Sequence, residues 1–174
     1  MRAFARVSGR MIGAGHEAPV LVGGGAVELF STSTLATGDF DIVTGAQEAF
    51  EAALRGEGFV KPSGAGVATR GWVHPDLALG FEVVSSVLLD GLAERARVIV
   101  VDLDVDGSAA ILSVEDMIAD RMGQFASGAA PEMIDQARIL FALNGSVDRV
   151  YLARRISEET IGDFTIEDLE GRTT

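Results

Sequence analysis

The sequence predicts an α+β fold, with a mixed β-sheet core first and helices after it. Short apolar runs (Val20–Val22, Phe40–Val43, Leu77–Val84, Arg97–Val101) are separated by turn chemistry up to Leu112. Beyond Leu112 the apolar residues fall at helical spacing instead. With 48% hydrophobic residues in 174, the chain can bury the core of one ordinary domain. The expected organisation is therefore an α/β core over residues 1–112 and a helical C-terminal extension over 113–174, packed as one unit.

The elements follow in order. Phe4, Val7 and Met11 recur at helical spacing over residues 2–13, with Arg2, Arg6 and Arg10 on another face. Pro19 ends that region, Val20–Val22 is a buried strand, and Gly24–Phe30 opens a helix. Phe40–Val43 is a strand, and Ala46–Arg55 a helix stopped by Gly56 and Gly58. Val67–Val73 and Leu77–Val84 bracket His74-Pro75-Asp76, a tight turn between antiparallel partners. Arg97–Val101 and Ala109–Leu112 pair across Asp106-Gly107, a strong hairpin signal. Ser113 to Asp116 resembles a capping box with Asp at its last position. Pro131 suits the first position of the next helix and Asn144-Gly145 its end. Val147–Ile156 and Thr165–Leu169 complete the helical third.

Composition excludes several classes. The chain has no cysteine, so disulfides and thiolate chemistry are out. A secretory leader is not expected, because His16 and Glu17 interrupt the apolar stretch after the N-terminal arginines. No run approaches the ~20 apolar residues of a membrane span. The expected location is cytoplasmic. The net charge of −12 disfavours general binding to a phosphate backbone, which rests on Lys and Arg. A nucleic-acid substrate such as tRNA would need a local basic patch, gathered from arginines 70, 95, 97, 121 and 138. The run Asp102-Leu-Asp104-Val-Asp106-Gly107 copies half of a calcium loop. Its twelfth position is Ser113 rather than Glu, and a strand precedes it, so the hairpin reading stands.

The chemistry concentrates between Leu21 and Val43. A strand runs into Gly23, Gly24 and Gly25, which open a helix whose backbone N–H groups suit an anion. The next strand carries Asp39 and Asp41 either side of Phe40, so strand alternation points both carboxylates the same way. Two adjacent acids repel unless a cation lies between them, and hard oxygen donors suit Mg²⁺ with substrate phosphates. Glu82, within the largely apolar GFEVV run, is a further acid that wants a partner or a site.

The order GGG-A-V-E-L then T-G-D-F-D-I-V resembles the signature of the nucleotidyltransferase superfamily typified by DNA polymerase β. LSVEDMIADRM resembles a helix of a bacterial subgroup containing uncharacterised nucleotidyltransferase-like proteins and abortive-infection toxins of toxin–antitoxin systems. The subgroup's basic stretch before its later helix is replaced here by Gly128-Ala129-Ala130-Pro131. The resemblance implies a nucleotidyltransferase-like sheet with flanking helices. It implies Asp39, Asp41 and Glu82 as catalytic metal ligands for two Mg²⁺ ions. It also implies Gly23, Gly24 and Gly25 around the phosphates of an NTP, with Thr37 and Arg121 as further nucleotide contacts. The implied reaction moves a nucleoside monophosphate onto a hydroxyl of tRNA, a protein or a small molecule. The alternative is a weak or inactive member acting as a binding module through a protein partner, such as an antitoxin.

Overall fold

The computed structural model describes residues 1–32, 40–63 and 71–170. Six strands form one mixed sheet: β1 (Val20–Val22), β2 (Phe40–Val43), β3 (Trp72–His74), β4 (Leu79–Ser85), β5 (Ile99–Asp102) and β6 (Ser108–Ile111). Their spatial order is β3-β4-β2-β1-β6-β5. β1 runs antiparallel to β2 and parallel to β6, and β2 runs parallel to β4. The two outer strands are antiparallel hairpin partners of β4 and β6. The helices are α1 (Arg2–Gly13), α2 (Gly23–Phe30), α3 (Gln47–Gly56), α4 (Val114–Ala126), α5 (Met133–Leu143), α6 (Arg149–Glu159) and the short α7 (Glu167–Glu170). The α+β arrangement is the one the sequence predicts.

The two faces of the sheet differ in character. Phe40 and Phe81 are paired in register, and their rings lie 5.6 Å apart. Phe81 also meets Phe4 of α1 at 5.7 Å and Phe59 at 5.2 Å. This side is an aromatic layer covered by α1, and α3 is tied to α1 through Arg10, which donates to Glu57 at 2.7 Å. Residues next along each strand point the opposite way, toward α4. The core is continuous across the expected boundary: Val20, Ile42 and Phe81 belong to one buried cluster with Met117, Ile118, Leu140 and Ile156.

Several boundaries differ from expectation for identifiable reasons. Helix α5 begins at Met133 rather than Pro131, because Pro131 and Glu132 form a turn in which Met133 N donates to Ala130 O. Helix α6 begins at Arg149 because Asp148 caps it, accepting from Tyr151 N at 3.0 Å. The strand expected from Val67 is described only from Trp72 onward. The Asp106-Gly107 turn contains a 3₁₀ segment (Asp104–Asp106) with Gly107 at φ 92°. Asp106 there binds Arg6 at 2.8 Å, so the calcium look-alike anchors α1. Among the described residues no helix is long and apolar enough to cross a membrane.

Candidate functional site

The site begins where β1 hands over to α2. Val22 is still extended (φ −131°) and Gly23 turns into the left-handed region (φ +60°), so the helix starts with no intervening loop. The antiparallel neighbour of Val22 is Asp41 on β2. A Cβ placed on Gly23 would meet Asp41 Oδ2 at 2.1 Å and Cγ at 2.9 Å. Only a residue without a side chain leaves room for the carboxylate over the turn. Gly23 is thus required twice, for its dihedral angle and for the approach of Asp41.

Asp41 and Glu82 are register partners on parallel strands, one residue beyond the stacked Phe40 and Phe81. Both therefore leave the aromatic face on the other side of the sheet, about one strand spacing (~4.8 Å) apart at the backbone.

Helix α4 crosses above that side and closes a cavity of about 410 Å³. Gly23, Gly24, Asp41, Asp120, Arg121 and Gln124 are its polar or glycine walls, with Val22, Val43, Val84, Leu112 and Met117 as apolar ones. Leu89 and Asp90, at the rim, both adopt left-handed angles (φ 42° and 54°). Such conformations cost about 1–3 kcal/mol each and gather at binding sites.

Arg121 is 6% exposed. Its Nη1 donates to Asp120 Oδ2 at 2.5 Å and its Nε to Gln136 Oε1 at 3.0 Å. Gln124 Nε2 donates to the same Asp120 oxygen at 2.9 Å. Burial pushes the Asp120 carboxyl above its ordinary value, and the Arg121 charge pulls it part of the way back. The Nη2 edge of Arg121 makes no hydrogen bond among the described residues.

The placement of α4, and with it Arg121, is fixed by a second buried network. Ser113 caps the helix, accepting from Asp116 N at 3.1 Å. The Asp116 carboxylate is 0% exposed and accepts from Ser113 Oγ (2.6 Å), Tyr151 OH (3.0 Å) and Arg155 Nε (2.7 Å). Arg155 is also fully buried and binds Glu158 and Glu159 one turn along α6. The capping Asp of the sequence reading therefore also clamps α4 to α6.

Of the residues singled out in the sequence, Gly23, Gly24, Asp41 and Arg121 line one cavity. Glu82 borders a neighbouring hollow of about 280 Å³ with Lys61, Glu51, Gly71 and Trp72. Gly25 is buried away from both: a Cβ there would meet the Phe40 ring at 2.6 Å and Leu21 at 3.2 Å, so it serves close helix–strand packing. Thr37 and Asp39 lie outside the described residues. Asp120, Gln124 and Gln136 went unnoticed in the sequence. Asp120 was signalled by its adjacency to Arg121, whereas nothing local points to Gln136, which reaches Arg121 from α5.

The donor set fits Mg²⁺. Asp41 lines the cavity and Glu82 is its register partner on the next strand, and Mg²⁺ takes one or two carboxylates and completes its shell with phosphates and water. Among the described residues, no group of three or more His, Asp or Glu is assembled as a metal site. The arginines that were candidates for a nucleic-acid patch are dispersed onto separate partners. Arg97 binds Asp148 at 2.8 Å, Arg138 the Asp168 carbonyl at 3.1 Å, and Arg95 the Ala18 carbonyl. Arg70 lies outside the described residues. His74 is used locally, its ring edge against Phe59 and its Nδ1 accepting from Asp76 N.

No protein-family model matches the chain, and a search among curated proteins returns no match.

Proposed function

We propose that the chain is a Mg²⁺-dependent nucleotidyltransferase of the DNA polymerase β-like superfamily, transferring a nucleoside monophosphate from an NTP to a hydroxyl acceptor. The observation that supports this best is the convergence on one cavity of the Gly23-Gly24 helix start, Asp41 and Arg121. An anion is favoured at the α2 N-terminus, and the Arg121 guanidinium, whose Nη2 makes no hydrogen bond among the described residues, lines the same cavity with the Asp41 carboxylate.

In this reading the amides of Gly23 and Gly24 hold the terminal phosphates, and Arg121 fixes their orientation. Asp41, with Asp39, carries the cation. When bound, Mg²⁺ supplies charge neutralisation of the attacking and leaving oxygens. Glu82, register partner of Asp41 and on the same side of the sheet, accepts the proton of the acceptor hydroxyl. The acceptor oxygen bonds to the α-phosphorus as the bond to the β-phosphate oxygen breaks, and pyrophosphate leaves. The dispersal of the arginines favours a small or protein acceptor over tRNA.

One observation favours the rival reading, a binding module acting through a protein partner such as an antitoxin. The Arg121 charge is already matched within the chain by Asp120. Thermal unfolding with each of the four NTPs, with and without Mg²⁺, separates the two. The transferase reading expects a Mg²⁺-dependent rise in Tm of a few degrees at about 100 times Kd, where binding adds roughly 2.7 kcal/mol. That rise must vanish in Asp39→Asn/Asp41→Asn. No shift with any NTP favours the module.

A further inference from the structure

Arg121 has five N–H donors in a rigid fork. Its neighbours engage two edges, Asp120 at Nη1 and Gln136 at Nε, and among the described residues none takes Nη2. The Asp120 carboxylate is itself held by Gln124 from one turn along α4. The pair lines the cavity together with Asp41, and Asp90 stands at its rim. The described lining thus carries three acids and one arginine, and that arginine is already neutralised. Phosphates entering this space gain the free Nη2 edge but meet the field of Asp120 directly beside it.

We propose that Asp120 is a built-in counter-ion that competes with the ligand's phosphates for Arg121. It holds the guanidinium in place while the cavity is empty, and it makes phosphate binding depend on an accompanying cation. This inference rests on the reading of the cavity as a nucleotide site. Asp120 is a positioning residue, acting on the ligand through Arg121. The arrangement carries a consequence opposite in sign to that of an ordinary supporting residue, since deleting the charge strengthens anion binding instead of weakening it.

The test is calorimetric titration of inorganic triphosphate, with and without Mg²⁺, into the wild-type chain and Asp120→Asn. The asparagine keeps the size of the side chain and an oxygen for Arg121 Nη1 or Gln124 Nε2, and removes only the charge. Competition from Asp120 for the guanidinium worth about 1.4 kcal/mol corresponds to tenfold in Kd. The expected result is therefore that Asp120→Asn binds Mg²⁺-free triphosphate about tenfold more tightly, with a smaller gain when Mg²⁺ is present. In Asp120→Asn/Arg121→Gln the gain must disappear, because the affected group is the guanidinium. Unchanged or weaker Mg²⁺-free binding in Asp120→Asn overturns the proposal while leaving the nucleotide reading standing. A wild-type chain that binds neither triphosphate nor any Mg·NTP overturns both. Asp120→Ser removes the same charge with a different shape. The same direction of change is required of it, so a folding defect peculiar to the asparagine does not shield the proposal.

Discussion

Replacing Gly23 by alanine tests the geometry of the site most directly. The new methyl group would sit 2.1 Å from Asp41 Oδ2, 2.9 Å from Cγ and 3.0 Å from Cβ, at a φ of +60°. The dihedral alone costs an L-residue roughly 1–2 kcal/mol. Driving Asp41 off its rotamer to relieve the overlap adds about 0.5–1.5 kcal/mol. The sum, about 1.5–3.5 kcal/mol, should lower Tm by roughly 3–14 °C in a chain of this size. The two contributions separate in an Asp41→Ala background, where the carboxylate is gone and only the backbone cost of about 1–2 kcal/mol remains. Chemical denaturation of the four proteins completes the cycle. Equal costs in both backgrounds would refute the claim that Gly23 is held small by the Asp41 carboxylate. A cost below about 0.5 kcal/mol in the wild type would refute the left-handed turn as well. In the same variant the displaced carboxylate should abolish any Mg²⁺-dependent nucleotide shift.

Arg155→Met removes a fully buried charge that Asp116, Glu158 and Glu159 all face. Stranding Asp116 should cost about 3–5 kcal/mol by denaturant titration, and wild-type stability in that variant would show the network to be idle. Tyr151 is the chain's single tyrosine, so its phenolate absorbance reports one site. Burial first, then the Asp116 charge, push it from 10.0 up to about 12. Because the folded pKa is raised, its contribution to stability is complete below pH 10 and is lost as pH climbs toward 12. A spectrophotometric midpoint near 10 in the folded protein would contradict the buried contact. Gly71→Ala places a Cβ 2.7 Å from the Phe81 carbonyl oxygen, a backbone atom that cannot swing aside. It should be destabilised by more than about 1 kcal/mol and shift the β3–β4 pairing seen by hydrogen exchange. Retention of both stability and protection would show that the strand adapts.

Much of this was legible in the chain because the signals are local. Alternation in FDIV and GFEVV fixes which side chains share a face, and Asp-Gly at the hairpin and Ser113 at the start of α4 mark their own positions. What was not legible depends on pairing between distant segments. Nothing near Gly25 says that its hydrogen faces a phenyl ring rather than a ligand, because Phe40 arrives from the next strand. Arg121 reads as a free helical cation until Gln136 is brought across from α5 and α4 is rotated by the Asp116–Arg155 clamp. The helix expected from Val147 instead starts after the Asp148 cap. Glu82 is the register partner of Asp41, but the separate hollow it borders depends on β3, α3 and Lys61, which no motif links to it.

The stacking of Phe40 on Phe81 has a consequence for how this site can change over generations. On each strand a phenyl ring is followed by an acid, Phe40–Asp41 on β2 and Phe81–Glu82 on β4, and the rings are locked into the core with Phe4 and Phe59. Slipping either strand by one residue would push an acid into the aromatic layer and a ring into the cavity. The packing of the core and the placement of the acids are therefore tied to the same strand register. Variation is left free where no such lock applies, on α4, α5 and the rim at Asp90. New ligand preferences can be tried there while the Asp41–Glu82 pair stays in step.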